Sequence, residues 1–148
     1  MMDSAYFTSR KNLLDFINNL LSLNLTKIEQ TASGAVACQL LEYMFPGTVN
    51  LGKVNWAASS EYHFVGNYKL LQDAFNKNNV QRYVDVDKLV RAKYQDNLEF
   101  MQWFKAFFDQ QCGHMENPRE GYDPVQQRGR GRGGKSAKKV SDEERSDE

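Results

Sequence analysis

No stretch of this 148-residue chain is apolar for long. Its longest apolar runs are a few residues, against the roughly 18 needed to cross a bilayer, so no membrane is expected among its partners. A secretory leader is not recognisable, because Asp3 and the Arg10-Lys11 pair interrupt any apolar segment near the start. Cysteines number two, Cys38 and Cys112, too few for a disulfide framework, and the expectation is a cytoplasmic protein. Cys112-Gly-His114 has the spacing of half a metal site, but no second pair exists and His63 stands alone. No nucleophile sits beside a base and no paired acids share a face, so no enzyme and no cofactor are expected. No internal repeat is found, and no stretch alternates with a period of two, which excludes a sheet and leaves an all-α fold.

Net charge is also absent, at +0, but that zero conceals a split. Residues 1–117 carry 11 Lys/Arg against 12 Asp/Glu, a net −1. Residues 118–139 carry 7 against 2, a net +5, and residues 140–148 carry 1 against 5, a net −4. Of 18 aromatic residues, 17 precede residue 118. The division expected is therefore a globular domain over 1–117 and a disordered tail over 118–148, Gly/Arg/Lys-rich and then acidic. A domain of that size buries about two thirds of its unfolded-chain surface, enough for one core.

Apolar spacing then places the helices. Thr8-Ser9 offers cap oxygens to a helix over about 10–22, whose Leu13, Phe16, Ile17, Leu20 and Leu21 recur at three- and four-residue steps. Thr26 and Glu29 have capping-box spacing, and the helix they open runs to Phe45, where Pro46-Gly47 stops it. Gly34, Ala35 and Ala37 within it would let another helix approach closely. A third helix spans about 59–77, with Phe64, Tyr68, Leu71 and Phe75 on one stripe. Asp85 caps a short basic helix to about Lys93, and Asp96 caps a final one carrying Phe100, Met101, Trp103, Phe104 and Phe107, apolar nearly all round and hence buried.

The wording of these segments resembles the calponin-homology domain of the end-binding family of microtubule plus-end tracking proteins. The resemblance runs through Leu23-Asn-Leu-Thr-Lys-Ile-Glu-Gln30, Phe45-Pro-Gly47, Lys53-Val-Asn55 and Asn67-Tyr-Lys-Leu-Leu-Gln72. Its most specific part is Gln95-Asp-Asn-Leu-Glu-Phe-Met-Gln-Trp-Phe-Lys105, and Tyr122-Asp-Pro-Val125 matches the family's junction of domain and linker. It implies binding in the lattice groove where tubulin dimers meet, with a preference for the GTP-like or GDP-phosphate-like lattice of growing ends, and a place at plus ends and on the spindle. Specificity is then a difference in affinity between two lattice geometries.

Carried over position by position, the family's contacts fall on Arg10, Lys53, Arg82, Lys93 and Gln95, with Lys88 on the short helix beside them. Two family cations are missing, one being Gly52 and the other Ser59, which predicts weaker or more salt-sensitive binding. Arg128, Arg130, Arg132, Lys135, Lys138 and Lys139 of the tail would be drawn to acidic tubulin surfaces. Ser141 and Ser146 stand in acidic contexts that suit acid-directed kinases. The family continues into a coiled-coil homodimer, whereas no heptads follow Val125, so a monomer is expected of these residues. Rival readings are an actin-binding calponin-homology domain and an RNA-associated protein acting through Arg128-Gly-Arg-Gly-Arg132; tubulin is favoured over nucleic acid because the globular part points there. Gly129–Ser136 fits the literal P-loop pattern, but no apolar strand precedes it and no apolar helix follows. Asn24-Leu-Thr26 is a formal sequon whose Thr has a better use as a cap.

Overall fold

The computed structural model describes residues 8–113 and 119–137. Within them lie six α-helices and two 3₁₀ segments: α1 (Arg10–Leu21), a 3₁₀ segment Ile28–Ser33, α2 (Ala35–Met44), a 3₁₀ turn Leu51–Lys53, α3 (Glu61–Lys77), α4 (Val86–Leu89), α5 (Tyr94–Cys112) and α6 (Pro124–Arg128). No strand occurs among the described residues. The all-α expectation holds.

Local chemistry accounts for most of the helix ends. Ser9 Oγ accepts from the Asn12 amide at 3.1 Å, and Ser22 closes α1 in the left-handed region. Ser60 accepts from the His63 amide at the start of α3, and Asp85 accepts from the Lys88 amide at the start of α4. Two expectations are corrected. The acceptor near residue 26 is Gln30, whose Oε1 takes the Thr26 and Lys27 amides at 2.7 and 2.9 Å; Glu29 is not the capping side chain. The helix it begins does not run through to Phe45, because Gly34 at φ +82° ends a 3₁₀ segment and starts α2 afresh. Similarly, α5 begins at Tyr94, with Asp96 in its first turn, and α4 ends at Leu89.

The core is a single cluster running from Leu13, Ile17 and Leu21 of α1 through α2 and α3 to Phe100, Met101 and Phe104 of α5. Small residues on α2 allow α3 to approach closely. A Cβ on Gly34 would stand 3.0 Å from the Tyr68 ring, and the buried Cys38 Sγ donates to the Asn67 carbonyl at 3.2 Å. Asn67 itself is buried and binds in three directions. Its Oδ1 accepts from the Asn55 amide at 2.9 Å, while its Nδ2 donates to the Ser33 and Asn55 carbonyls at 2.9 and 3.0 Å. One side chain thus ties α3 to the turn before α2 and to the loop after Lys53.

The stretch beyond residue 118 departs most from expectation. Residues 119–137 are packed, not without structure, because three side chains are anchored on the domain. Arg119 pairs with Glu42 at 3.1 Å and lies over the Tyr122 ring at 4.3 Å. Tyr122 donates to Glu42 Oε1 and accepts from Gln39 Nε2, each at 3.2 Å. Arg128, at the end of α6, is fully buried; its Nη1 donates to the Leu21 carbonyl and its Nη2 to those of Ser22 (2.9 Å) and Ala137 (3.4 Å).

Candidate functional site

The candidate cations are set out by separate elements along the chain. Arg10 is the first residue of α1 and is exposed. Lys53 ends the 3₁₀ turn, exposed, on a backbone held by the Asn50 and Asn67 side chains. Arg82 is exposed in the link between α3 and α4, with its guanidinium 5.2 Å from the centroid of the Trp103 ring. Lys88 sits on α4, and Lys93 is the residue before α5. Gln95, one residue into α5, donates to Glu99 at 3.1 Å.

Some of these come together and some do not. Arg82 and Lys88 line one cavity of about 250 Å³ with Tyr83, Asp85, Asp96 and Glu99. Lys93 and Gln95 follow directly on the α4–α5 turn. Lys53 lines a separate groove of about 490 Å³ with Tyr62, His63 and Lys69. Among the described residues only Lys88 of these cations has a carboxylate partner, Asp85 at 3.9 Å, and that contact is open to solvent. Arg10, Lys53, Arg82 and Lys93 have no ion-pair partner there, so an acidic surface could take them without first breaking an internal bridge.

Trp103 corrects a sequence expectation. It is half-buried, not core, because its ring is the platform for Arg82 as well as a member of an aromatic column. It stacks on Phe100 at 5.9 Å and on Phe107 at 5.1 Å, with interplanar angles of 8° and 11°. A guanidinium on such a ring gains about 0.5–1 kcal/mol where exposed, and its mobility falls. Arg82 is therefore held in place while still facing solvent.

Of the expected tail cations, Arg128 is not a surface charge. Burial pushes its guanidinium down to about 10, and that cost is met by backbone carbonyls and by the Trp56 ring, 5.4 Å away. Its sequence surroundings, Gly and Arg in alternation, read as solvated tail, since nothing local to it marks a buried site. Arg130, Arg132 and Lys135 are exposed; Lys138, Lys139, Ser141 and Ser146 lie outside the described residues, as does His114. No group of three His, Cys, Asp or Glu side chains that could hold a metal occurs among the described residues. No helix among them is long and apolar enough to cross a membrane. The P-loop-like run follows the five-residue α6, not a strand.

A profile of the calponin homology (CH) domain matches residues 7–111. Three curated proteins of Arabidopsis thaliana, microtubule-associated protein RP/EB family members 1C, 1B and 1A, are each 48% identical over 137, 138 and 130 residues. A chain from a solved structure, described as the structural basis of microtubule plus-end tracking by XMAP215, CLIP-170 and EB1, matches with TM-score 0.74 at 38% identity. That match covers 82% of this chain and 99% of the other. The chain belongs to the end-binding family, within its calponin-homology domain. These residues include 88–93% of this chain but only 40–46% of the length of the curated family members. Beyond the matched residues, Tyr122 and Pro124 are bound to Gln39 and Glu42 on α2.

Proposed function

We propose that this chain is a microtubule-binding module that recognises the lattice at growing plus ends and thereby regulates microtubule dynamics. The observation that carries the reading is Arg82, exposed, braced on Trp103 and without an acidic partner among the described residues, on a calponin-homology domain of the end-binding family. Arg10, Lys53, Lys88, Lys93 and Gln95 complete the lattice contacts. Tubulin's acidic surface is the partner, in the groove between dimers near the GTP- or GDP-phosphate-like state. The module works without cofactor or catalysis, and its place is the microtubule cytoskeleton of the cytoplasm, at plus ends and on the spindle. As these residues alone it is a monomer; a homodimer requires the coiled coil of a longer chain.

The test is fluorescence imaging of labelled protein on dynamic microtubules at low salt, comparing wild type with Arg82→Glu. Enrichment at growing ends is expected for wild type and loss for the variant, with helical content unchanged by circular dichroism. Uniform decoration that ignores Arg82→Glu would refute lattice recognition through this face. Sedimentation with actin filaments, run in parallel, is expected to be negative.

A further inference from the structure

The segment after α6 is wedged against the loop that carries Lys53. The Trp56 amide donates to the Arg132 carbonyl at 2.7 Å. The Arg130 carbonyl lies 4.0 Å from where a side chain on Gly52 would begin. Gly131 is buried so tightly that an added Cβ would overlap the Val54 carbonyl oxygen and stand 2.6 Å from that of Leu51. A Cβ on Gly133 would come within 2.9 Å of Ala57, and one on Gly134 would overlap the Arg128 carbonyl. Arg128 then closes the loop by donating to the Ala137 carbonyl. The glycines are spaced where backbone meets backbone, and the residues between them, Arg130 and Arg132, are exposed.

We propose that residues 129–137 form a docked basic strap that is part of the lattice-binding face, with the exposed Arg130 and Arg132 supplying positive charge beside the loop that carries Lys53. The partner is the acidic outer surface of the microtubule, so the inference rests on the microtubule reading above. It differs from attraction by a free polycation in one respect: position matters, not only charge. A docked cation contributes without the ordering cost that a swinging one meets on binding. The strap's glycines are then specificity elements for affinity although none of them touches the partner.

Gly131→Ala separates the two possibilities, because it undocks the strap and leaves every charge in place. Microtubule cosedimentation at low salt is measured for wild type, Gly131→Ala, Arg130→Gln/Arg132→Gln and the triple variant. At up to about 1 kcal/mol per exposed pair, losing two cations weakens binding by up to about thirtyfold. Gly131→Ala is expected to lose about threefold, and nothing further when the two arginines are already neutral. Hydrogen exchange at the Trp56 amide is expected to be slow in wild type and fast in Gly131→Ala, with the amides of α3 protected in both. If α3 protection is lost, Gly133→Ala is read in its place. Wild-type binding with Gly131→Ala unchanged, or a fast Trp56 amide in wild type, overturns the strap alone. No binding by wild type overturns both the strap and the microtubule reading.

Discussion

Asn67→Ala tests whether a single side chain holds the Lys53 loop in place. The substitution removes three side-chain hydrogen bonds, to the Asn55 amide, the Asn55 carbonyl and the Ser33 carbonyl. At about 1 kcal/mol net for each, the loss is about 3 kcal/mol, with more if the half-buried Asn55 groups stay dry. For a domain of this size, 1 kcal/mol corresponds to about 3–5 °C, so the midpoint should fall by roughly 9–15 °C. Thermal unfolding followed by circular dichroism reads it directly. The local consequence is equally specific: amide exchange should rise at Asn55 and Trp56 before it rises in α1, because Asn67 is the only side chain among the described residues that binds both backbone groups of Asn55. A midpoint lowered by less than about 3 °C, or a loop no more open than before, would show that the loop is held by Val54 and the surrounding packing instead.

Gly34→Ala should cost about 1–3 kcal/mol in chemical denaturation, since φ is +82° and the new Cβ would press on the Tyr68 ring and Asn67 Cβ at 3.0–3.1 Å; a neutral result would mean α3 can shift away. Stability should decline as pH rises above 9, because burial pushes the Cys38 thiol from its ordinary 9.0 up to about 12 and the Tyr122 phenol from 10.0 up to about 12. Both groups keep their proton in the fold but release it on unfolding, so the stability they provide is complete below their unfolded values and is lost towards the folded ones. Arg128 acts with the opposite sign above about 10, where the unfolded chain still holds the proton that the fold gives up. Cys38→Ala should therefore flatten the decline between pH 9 and 10, measured by urea midpoints; an unchanged slope would locate the alkaline sensitivity elsewhere.

Helices α1 and α3 were legible because their signals are local: a cap oxygen, a three-to-four-residue apolar step, and an end set by neighbouring residues. The break at Gly34 was not, since apolar spacing runs on either side of it and its left-handed φ, in a place where a Cβ would press on Tyr68, shows only in the fold. Trp103 reads from sequence as core because an aromatic on a mostly apolar helix is usually inside; only the approach of Arg82 from another segment gives it a half-exposed role. The strap was misread for a related reason. Glycine and arginine in alternation look solvated when their neighbours in space are unknown, and the glycine spacing acquires meaning only beside the carbonyls of Leu51 and Val54. The cationic positions come from family resemblance alone and stand as proposed contacts. Their division between an α4–α5 cavity and a separate Lys53 groove has no signal in the sequence.

The chain has only two tryptophans, and each lies under a guanidinium from a different part of the molecule: Trp103 under Arg82, Trp56 under Arg128. Both indoles are therefore polarised by a nearby positive charge, and their emission depends on whether that charge stays. Replacing Trp56 with Phe leaves a protein whose tryptophan emission comes from the α5 platform alone; replacing Trp103 leaves one whose tryptophan reports only the arginine at the end of α6. The α5 platform and the end of α6 thus carry separate optical labels, with no dye attached to either.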